Sequence, residues 1–175
     1  GAGIGRALAL TFARAGAAVV VSDRDLDAAE AVATEITDAG GLAVARSCDV
    51  TDENDLAEVV ADTVAAFGNL TILVSNAGGG GPKPFDMSME DFRRAYDLNV
   101  FSLFRLAQLA ALEMEKAGGG AMLAITSMAG ENKNNRMASY GSSKAATNHL
   151  IRNIAFDLGP RGIRVNGIAP GATRT

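Results

Sequence analysis

Short apolar runs that alternate with helical stretches along the whole chain constrain this sequence most. Strands separated by helices can pair in parallel, which short hairpin turns would not allow. Ala18-Val19-Val20-Val21 is continuously apolar, as a strand covered on both faces must be. Leu42 to Arg46, Leu70-Thr71-Ile72-Leu73-Val74, Ala121 to Thr126 and Ile163 to Ile168 read as further strands. Between them the pattern predicts helices over Gly5 to Ala15 and Asp25 to Asp38. Another carries Leu56, Val59, Val60, Val64 and Phe67 at helical spacing behind the acidic turn of Asp52 and Glu53. A long helix is predicted from an N-cap at Ser88 to about Lys116, and a last one from Ser139 to Leu158. Gly16, Gly40-Gly41, Gly68 and Gly118-Gly119-Gly120 punctuate the pattern as helix stops and turns.

Strand, loop and helix repeated in this way imply right-handed crossovers and an α/β, doubly wound parallel sheet of the Rossmann type. The chain has 175 residues, 48% of them hydrophobic, enough for one domain with a substantial core. It opens at Gly1-Ala2-Gly3-Ile4-Gly5 with no strand ahead of the glycine turn, and stops at Thr175 after a Pro-Gly turn. Residues 1–175 are therefore expected to be a fragment of one Rossmann domain, lacking its first strand and its C-terminal part. The first strand would sit at the centre of the sheet, so its neighbours are expected to keep unpaired backbone groups.

Charge and composition exclude several classes. The net charge is −4 and no basic run occurs, which argues against nucleic acid as a partner. No apolar run approaches the length that spans a bilayer. Cys48 is the one cysteine; it excludes an internal disulfide framework and suits a reducing, cytoplasmic setting. His149 is the one histidine and reads as a helix-surface imidazole, so no metal site and no serine–histidine chemistry is expected.

Gly1, Gly3 and Gly5, with Ile4 between them, open a helix whose amides can hold a pyrophosphate. Asp23 ends the next strand, 20 residues after Gly3, where a carboxylate can accept both hydroxyls of an adenosine ribose. An ordinary turn aspartate is the alternative for Asp23. A 2′-phosphate about 4 Å from that carboxylate would be repelled by roughly 1 to 4 kcal/mol. That favours NAD over NADP by about one to three powers of ten. Arg24 next to it reads as a solvated surface arginine, the alternative being a guanidinium that binds a 2′-phosphate.

Tyr140 and Lys144, four residues apart, share one helix face. A free tyrosine is mostly protonated at neutral pH, and cations beside it, a lysine ammonium or an oxidised nicotinamide, favour the phenolate that a base needs. Ser127 stands just past the strand Ala121 to Thr126, at the sheet's carboxyl edge, where its hydroxyl can donate to a substrate oxygen. Asn99 is a polar residue in the middle of the long helix and needs a partner there. A water linking it toward Lys144 or a bond to the neighbouring helix would each serve.

Gly1-Ala2-Gly3-Ile4-Gly5, Cys48-Asp49-Val50, Asn76-Ala77-Gly78, Asn99, Ser127, Tyr140, Lys144 and Pro170-Gly171 resemble, in order and over the whole chain, the motifs of the short-chain dehydrogenase/reductase family. The resemblance implies hydride transfer between NAD and a secondary alcohol or ketone. It implies that Asp49, with Val50 beside it, binds the adenine and that Asn76, Ala77 and Gly78 line the cofactor cleft. Tyr140 would be the acid/base, Lys144 would bind the nicotinamide ribose and Ser127 would orient the substrate. Asn99 would hold a relay water, and Ile168, Pro170, Gly171 and Thr175 would lie by the nicotinamide. Ser75 departs from the asparagine many members carry.

The run Gly78-Gly79-Gly80-Gly81-Pro82-Lys83-Pro84-Phe85-Asp86-Met87 and the segment Ser127 to Asn134 are similar, within that family, to members acting on the 7α-hydroxyl of bile acids. Gly130, Asn135, Arg136 and Gly141 depart from that pattern. The likeness implies a bulky steroid substrate met by Gly80, Ser127, Asn132 and Tyr140; the glycines at 78 to 81 would leave open space beside the nicotinamide or equally form a flexible loop. A homotetramer formed through the two long helices is the expectation for assembly. The rival activities are a 3-oxoacyl-carrier-protein reductase and a sugar-alcohol dehydrogenase; the rival of another class is a non-catalytic nucleotide-binding protein.

Overall fold

Val19–Asp23 (β1) and Ala43–Ser47 (β2) pair in parallel, Val19 opposite Ala43 and Asp23 opposite Ser47. The computed structural model describes residues 3–173, which form two compact units dividing between Asn69 and Leu70. Gly1 and Thr175, both expected at the cofactor, lie outside the described residues. In the first unit, Gly3–Arg14 (α1) and Leu26–Asp38 (α2) cover the strands. Ala29, Val32, Ala33 and Ile36 bury one stripe of α2 against Val21, and Ala9, Leu10 and Ala13 of α1 pack on the same cluster. Asp25 caps α2 by accepting from the Ala28 amide at 3.4 Å. Glu53–Phe67 (α3) starts at an Asp52 cap and ends at Gly68, which is left-handed at φ 83°.

The second unit is a three-stranded parallel sheet of Ile72–Ser75 (β3), Gly120–Ile125 (β4) and Ile163–Ile168 (β5), with β4 in the middle. Its helices are Met89–Tyr96 (α4), Ser102–Lys116 (α5) and Ala138–Leu158 (α6). Ala107, Ala110, Ala111 and Met114 of α5 and Ile154 and Leu158 of α6 pack with Leu73, Met122 and Ile163. All strand pairings among the described residues are parallel, in a Rossmann-like α/β fold, and they fall into two sets, β1 with β2 and β3 with β4 and β5.

The long helix expected from Ser88 to Lys116 is not one uninterrupted α-helix. Ser88 caps it as predicted, accepting from the Asp91 amide at 3.0 Å. A turn of π-helix at Asp97–Phe101 then separates α4 from α5. Side chains take up carbonyls near this widened turn: the Ser102 hydroxyl donates to Leu98 at 2.6 Å, and Thr147 of α6 donates to Asn99 at 3.1 Å. Apolar periodicity alone does not register one inserted residue, and such turns occur often at functional sites.

Candidate active site

Asn99 sits in the π-turn and is 4% exposed. Its amide donates to the carbonyls of Gly79 and Ala95, both at 2.9 Å, and to the Ser143 hydroxyl at 3.1 Å. Its carbonyl oxygen accepts from the Gly79 amide at 3.0 Å. The side chain thus ties the glycine loop after β3 to the π-turn and to α6. Of the two partners weighed for Asn99, the helix-bonded arrangement is present, with the loop added.

Lys144, on α6, is also 4% exposed. Its ammonium donates to the Ile125 carbonyl at the end of β4, at 3.0 Å, and lies 6.0 Å from the centre of the Tyr140 ring. Burial pushes its pKa down to about 8, since a charge withdrawn from water is disfavoured. At neutral pH it remains a cation beside a half-buried tyrosine.

Gly78 and Gly80 are close-packed, which corrects the expectation of open space at those two positions of the 78 to 81 run. A β-carbon at Gly78 would stand 2.8 Å from the Asn99 carbonyl oxygen and 3.0 Å from the Lys144 nitrogen. At Gly80, with φ +142°, it would stand 2.6 Å from the Tyr140 ring. Only Gly81 faces open space within this run. Glycine is required because backbone approaches functional side chains too closely for any other residue.

Ser127 follows β4 in extended backbone and accepts from the Ala129 amide at 3.1 Å. That bond uses a lone pair and leaves the hydroxyl proton to be donated elsewhere. Met128 donates to the Pro170 carbonyl at 3.0 Å, and Thr126 donates to Ile168 through amide and hydroxyl at 2.8 and 3.1 Å. Ile168, Pro170 and Gly171 are thereby held beside the Ser127 turn, and the short helical turn Met128–Gly130 packs against α6. Within the second unit, the Asn76–Gly80 loop, Asn99, Tyr140 and Lys144 form one cluster, with Ser127 at the adjoining edge of β4.

The first unit holds the other expected residues. Gly3, with φ 59°, Ile4 and Gly5 open α1, whose first turn carries no acidic residue. A helix N-terminus of this kind suits an anion such as a pyrophosphate. Asp23 ends β1 and accepts from the Asp25 amide at 3.1 Å. Asp49, just past β2, accepts from the Thr51 amide and hydroxyl at 2.9 and 2.7 Å, bonds that lower its pKa. Val50 follows it, half-buried. Both aspartates stand at the carboxyl ends of neighbouring parallel strands, where ligands of open α/β sheets bind.

Burial and the neighbouring carboxylates of Asp55, Asp49 and Asp52 raise the Cys48 thiol to about 11, which leaves it unreactive. His149 is exposed on α6. Among the described residues no helix is long and apolar enough to cross a membrane, and no three potential metal ligands cluster.

Sequence reasoning missed Ser143 and Thr147. Thr147 donates to the Ser143 carbonyl at 2.8 Å as well as to Asn99, and Ser143 donates to the Tyr140 carbonyl at 2.8 Å. Their spacing of three and seven from Tyr140, on the face of Lys144, was the available signal.

The short chain dehydrogenase family model matches residues 1–175. The chain is 63% identical to 7alpha-hydroxysteroid dehydrogenase of Escherichia coli (strain K12), over all of this chain and 69% of that protein. It is 33% identical to cyclohexanol dehydrogenase of Acinetobacter sp. (strain SE19), over all of this chain and 70% of that protein. A solved structure of 7 alpha-hydroxysteroid dehydrogenase complexed with NADH and 7-oxo glycochenodeoxycholic acid superposes with a TM-score of 0.96. It is 63% identical and covers 98% of this chain and 67% of its own.

Proposed function

The chain belongs to the short-chain dehydrogenase family, and from that premise we propose that it is an NAD-dependent oxidoreductase acting on the 7α-hydroxyl of bile acids. The observation that carries the chemistry is the buried Lys144 ammonium beside Tyr140, with Gly78 and Gly80 closed around both. The 63% identity to a 7alpha-hydroxysteroid dehydrogenase, and the solved relative with NADH and a 7-oxo bile acid, support the cofactor and the substrate.

In the forward direction Tyr140, as the phenolate that the Lys144 ammonium stabilises, takes the proton of the substrate hydroxyl as hydride leaves the carbinol carbon. Ser127 donates to the substrate oxygen. Asn99 is a positioning residue: it pins Gly79, and so holds the loop against Tyr140 and Lys144. Gly3, Ile4 and Gly5 would take the pyrophosphate, and Asp23 and Asp49 the adenosine. Asn76, Ala77, Gly78, Lys144, Ile168, Pro170 and Gly171 would take the nicotinamide half. Bound NAD supplies the hydride acceptor. Gly80 and Asn132 are the remaining proposed substrate contacts. The reading extends to a cytoplasmic homotetramer, supported by Phe104 and Leu112 exposed on α5 and Phe156 on α6.

The test is formation of reduced cofactor from cholate and NAD, against the 7β-epimer and NADP as controls. Rapid turnover of cholate with NAD alone is expected, and no turnover by folded, NAD-binding protein overturns the substrate assignment. In Asp23→Ala the preference for NAD over NADP should shrink by about one power of ten or more; an unchanged ratio removes Asp23 from cofactor choice. Gly80→Ala should lower kcat by about 10²-fold, since displacing a reacting group by an ångström has that effect. If kcat stays within twofold of the parent, the loop does not position Tyr140.

A further inference from the structure

A cleft of about 810 Å³ lies within the second unit, between the segment Glu131 to Met137, the start of α6, and the loop at Lys83 to Phe85. It borders the proposed site: Ala129 is two residues past Ser127, and Gly141 is next to Tyr140. Its charge is opposite in sign to that of the chain. Lys83, Lys133 and Arg136 line it with Glu131 as the one acid, in a protein of net charge −4. Lys83 is shared with Asp91 at 3.2 Å, and Glu131 is engaged by the Asn148 amide at 2.7 Å. Among the described residues, Lys133 and Arg136 form no ion pair. Phe85, 94% exposed, and Met137 give the same cleft apolar surface.

Arg136 is held at φ 60°, the one non-glycine residue with positive φ among those described. Glycine or asparagine would sit there more easily. The Arg136 carbonyl accepts from the Lys83 amide at 2.8 Å, which ties the two loops together and holds the conformation. A disfavoured backbone that carries a cation into a cleft points to a use for the side chain.

We propose that this cleft receives the anionic end of the substrate. Arg136 and Lys133 hold a terminal carboxylate, with the adjoining apolar body against Phe85 and Met137. This deepens the dehydrogenase reading above and rests on it. A guanidinium pairs well with a carboxylate, and a sulfonate at the same position would be read by the same charges.

The experiment compares equilibrium binding of cholate and of its uncharged side-chain alcohol, by calorimetry on purified protein with NADH, beside turnover of both compounds with NAD. Arg136→Asn is the main variant because asparagine tolerates the left-handed backbone, so its thermal midpoint should not fall. The expected result is that Arg136→Asn weakens cholate binding by about tenfold, and the alcohol by less than twofold. Lys133→Gln should act in the same direction. Cholate oxidation with an acid-to-alcohol ratio unchanged in Arg136→Asn overturns the cleft assignment alone. Loss of that ratio in a protein that oxidises neither compound overturns the dehydrogenase reading alone. Binding of neither compound overturns both.

Discussion

Replacing Tyr140 by phenylalanine should lower kcat for cholate by roughly 10²- to 10⁴-fold, the range a positioned acid/base supplies, while NAD binds as before. The substitution is narrow for a structural reason. Gly80 packs on the ring of Tyr140, and phenylalanine keeps that ring, so the loop and the Lys144 environment are retained. The Ser143 bond goes to the backbone carbonyl of residue 140 and survives as well. What disappears is the hydroxyl. Steady-state kinetics gives the loss, and calorimetry with NAD separates it from a binding defect. Retention of more than about a tenth of the parent kcat would assign the proton to another group.

Lys144→Met should abolish turnover and yet make the protein more stable at neutral pH. Burial lowers the lysine from 10.5 to about 8, so between those values the folded protein binds fewer protons than the unfolded chain. Stability therefore rises with pH across that window, and below about 8 the full penalty of holding a buried ammonium is present. The shift corresponds to about 3 kcal/mol. Losing the hydrogen bond to Ile125 offsets part of it. A net gain of about 1 to 2 kcal/mol at pH 7 is expected for the methionine variant. Urea denaturation at several pH values checks this: the advantage should shrink as pH rises from 8 towards 10.5. A difference constant with pH would mean that the ammonium is not the source of strain. Stability given up at one residue for a charge beside Tyr140 is the usual relation between function and fold.

Much of the architecture was legible because it is written in local pattern. Ala18 to Val21 read as a strand, present as β1 with Val21 buried, and Ser88 and Gly68 mark helix ends through local chemistry that acts over three or four residues. Tyr140 and Lys144 were legible for the same reason, since helical periodicity places residues four apart on one face. The π-turn around Asn99 was not. One inserted residue leaves the apolar stripe nearly unchanged, and its compensation comes from Thr147, 48 residues away.

The glycine loop shows the same division most clearly. From sequence, four adjacent glycines read as open space for a large substrate or as a flexible loop; in the fold, Gly78 and Gly80 are where backbone closes on Lys144, Asn99 and Tyr140. Composition says that a side chain is missing, and only the neighbours say whether the missing volume is filled. The pKa of Lys144 depends likewise on what surrounds it, and the positive φ of Arg136 on a hydrogen bond to Lys83. The sequence by itself determined the order of strands and helices and the family, because these follow from short-range periodicity, residue type and motif. Tertiary structure alone decided burial, close approach and charge, because each is set by atoms brought together from distant parts of the chain.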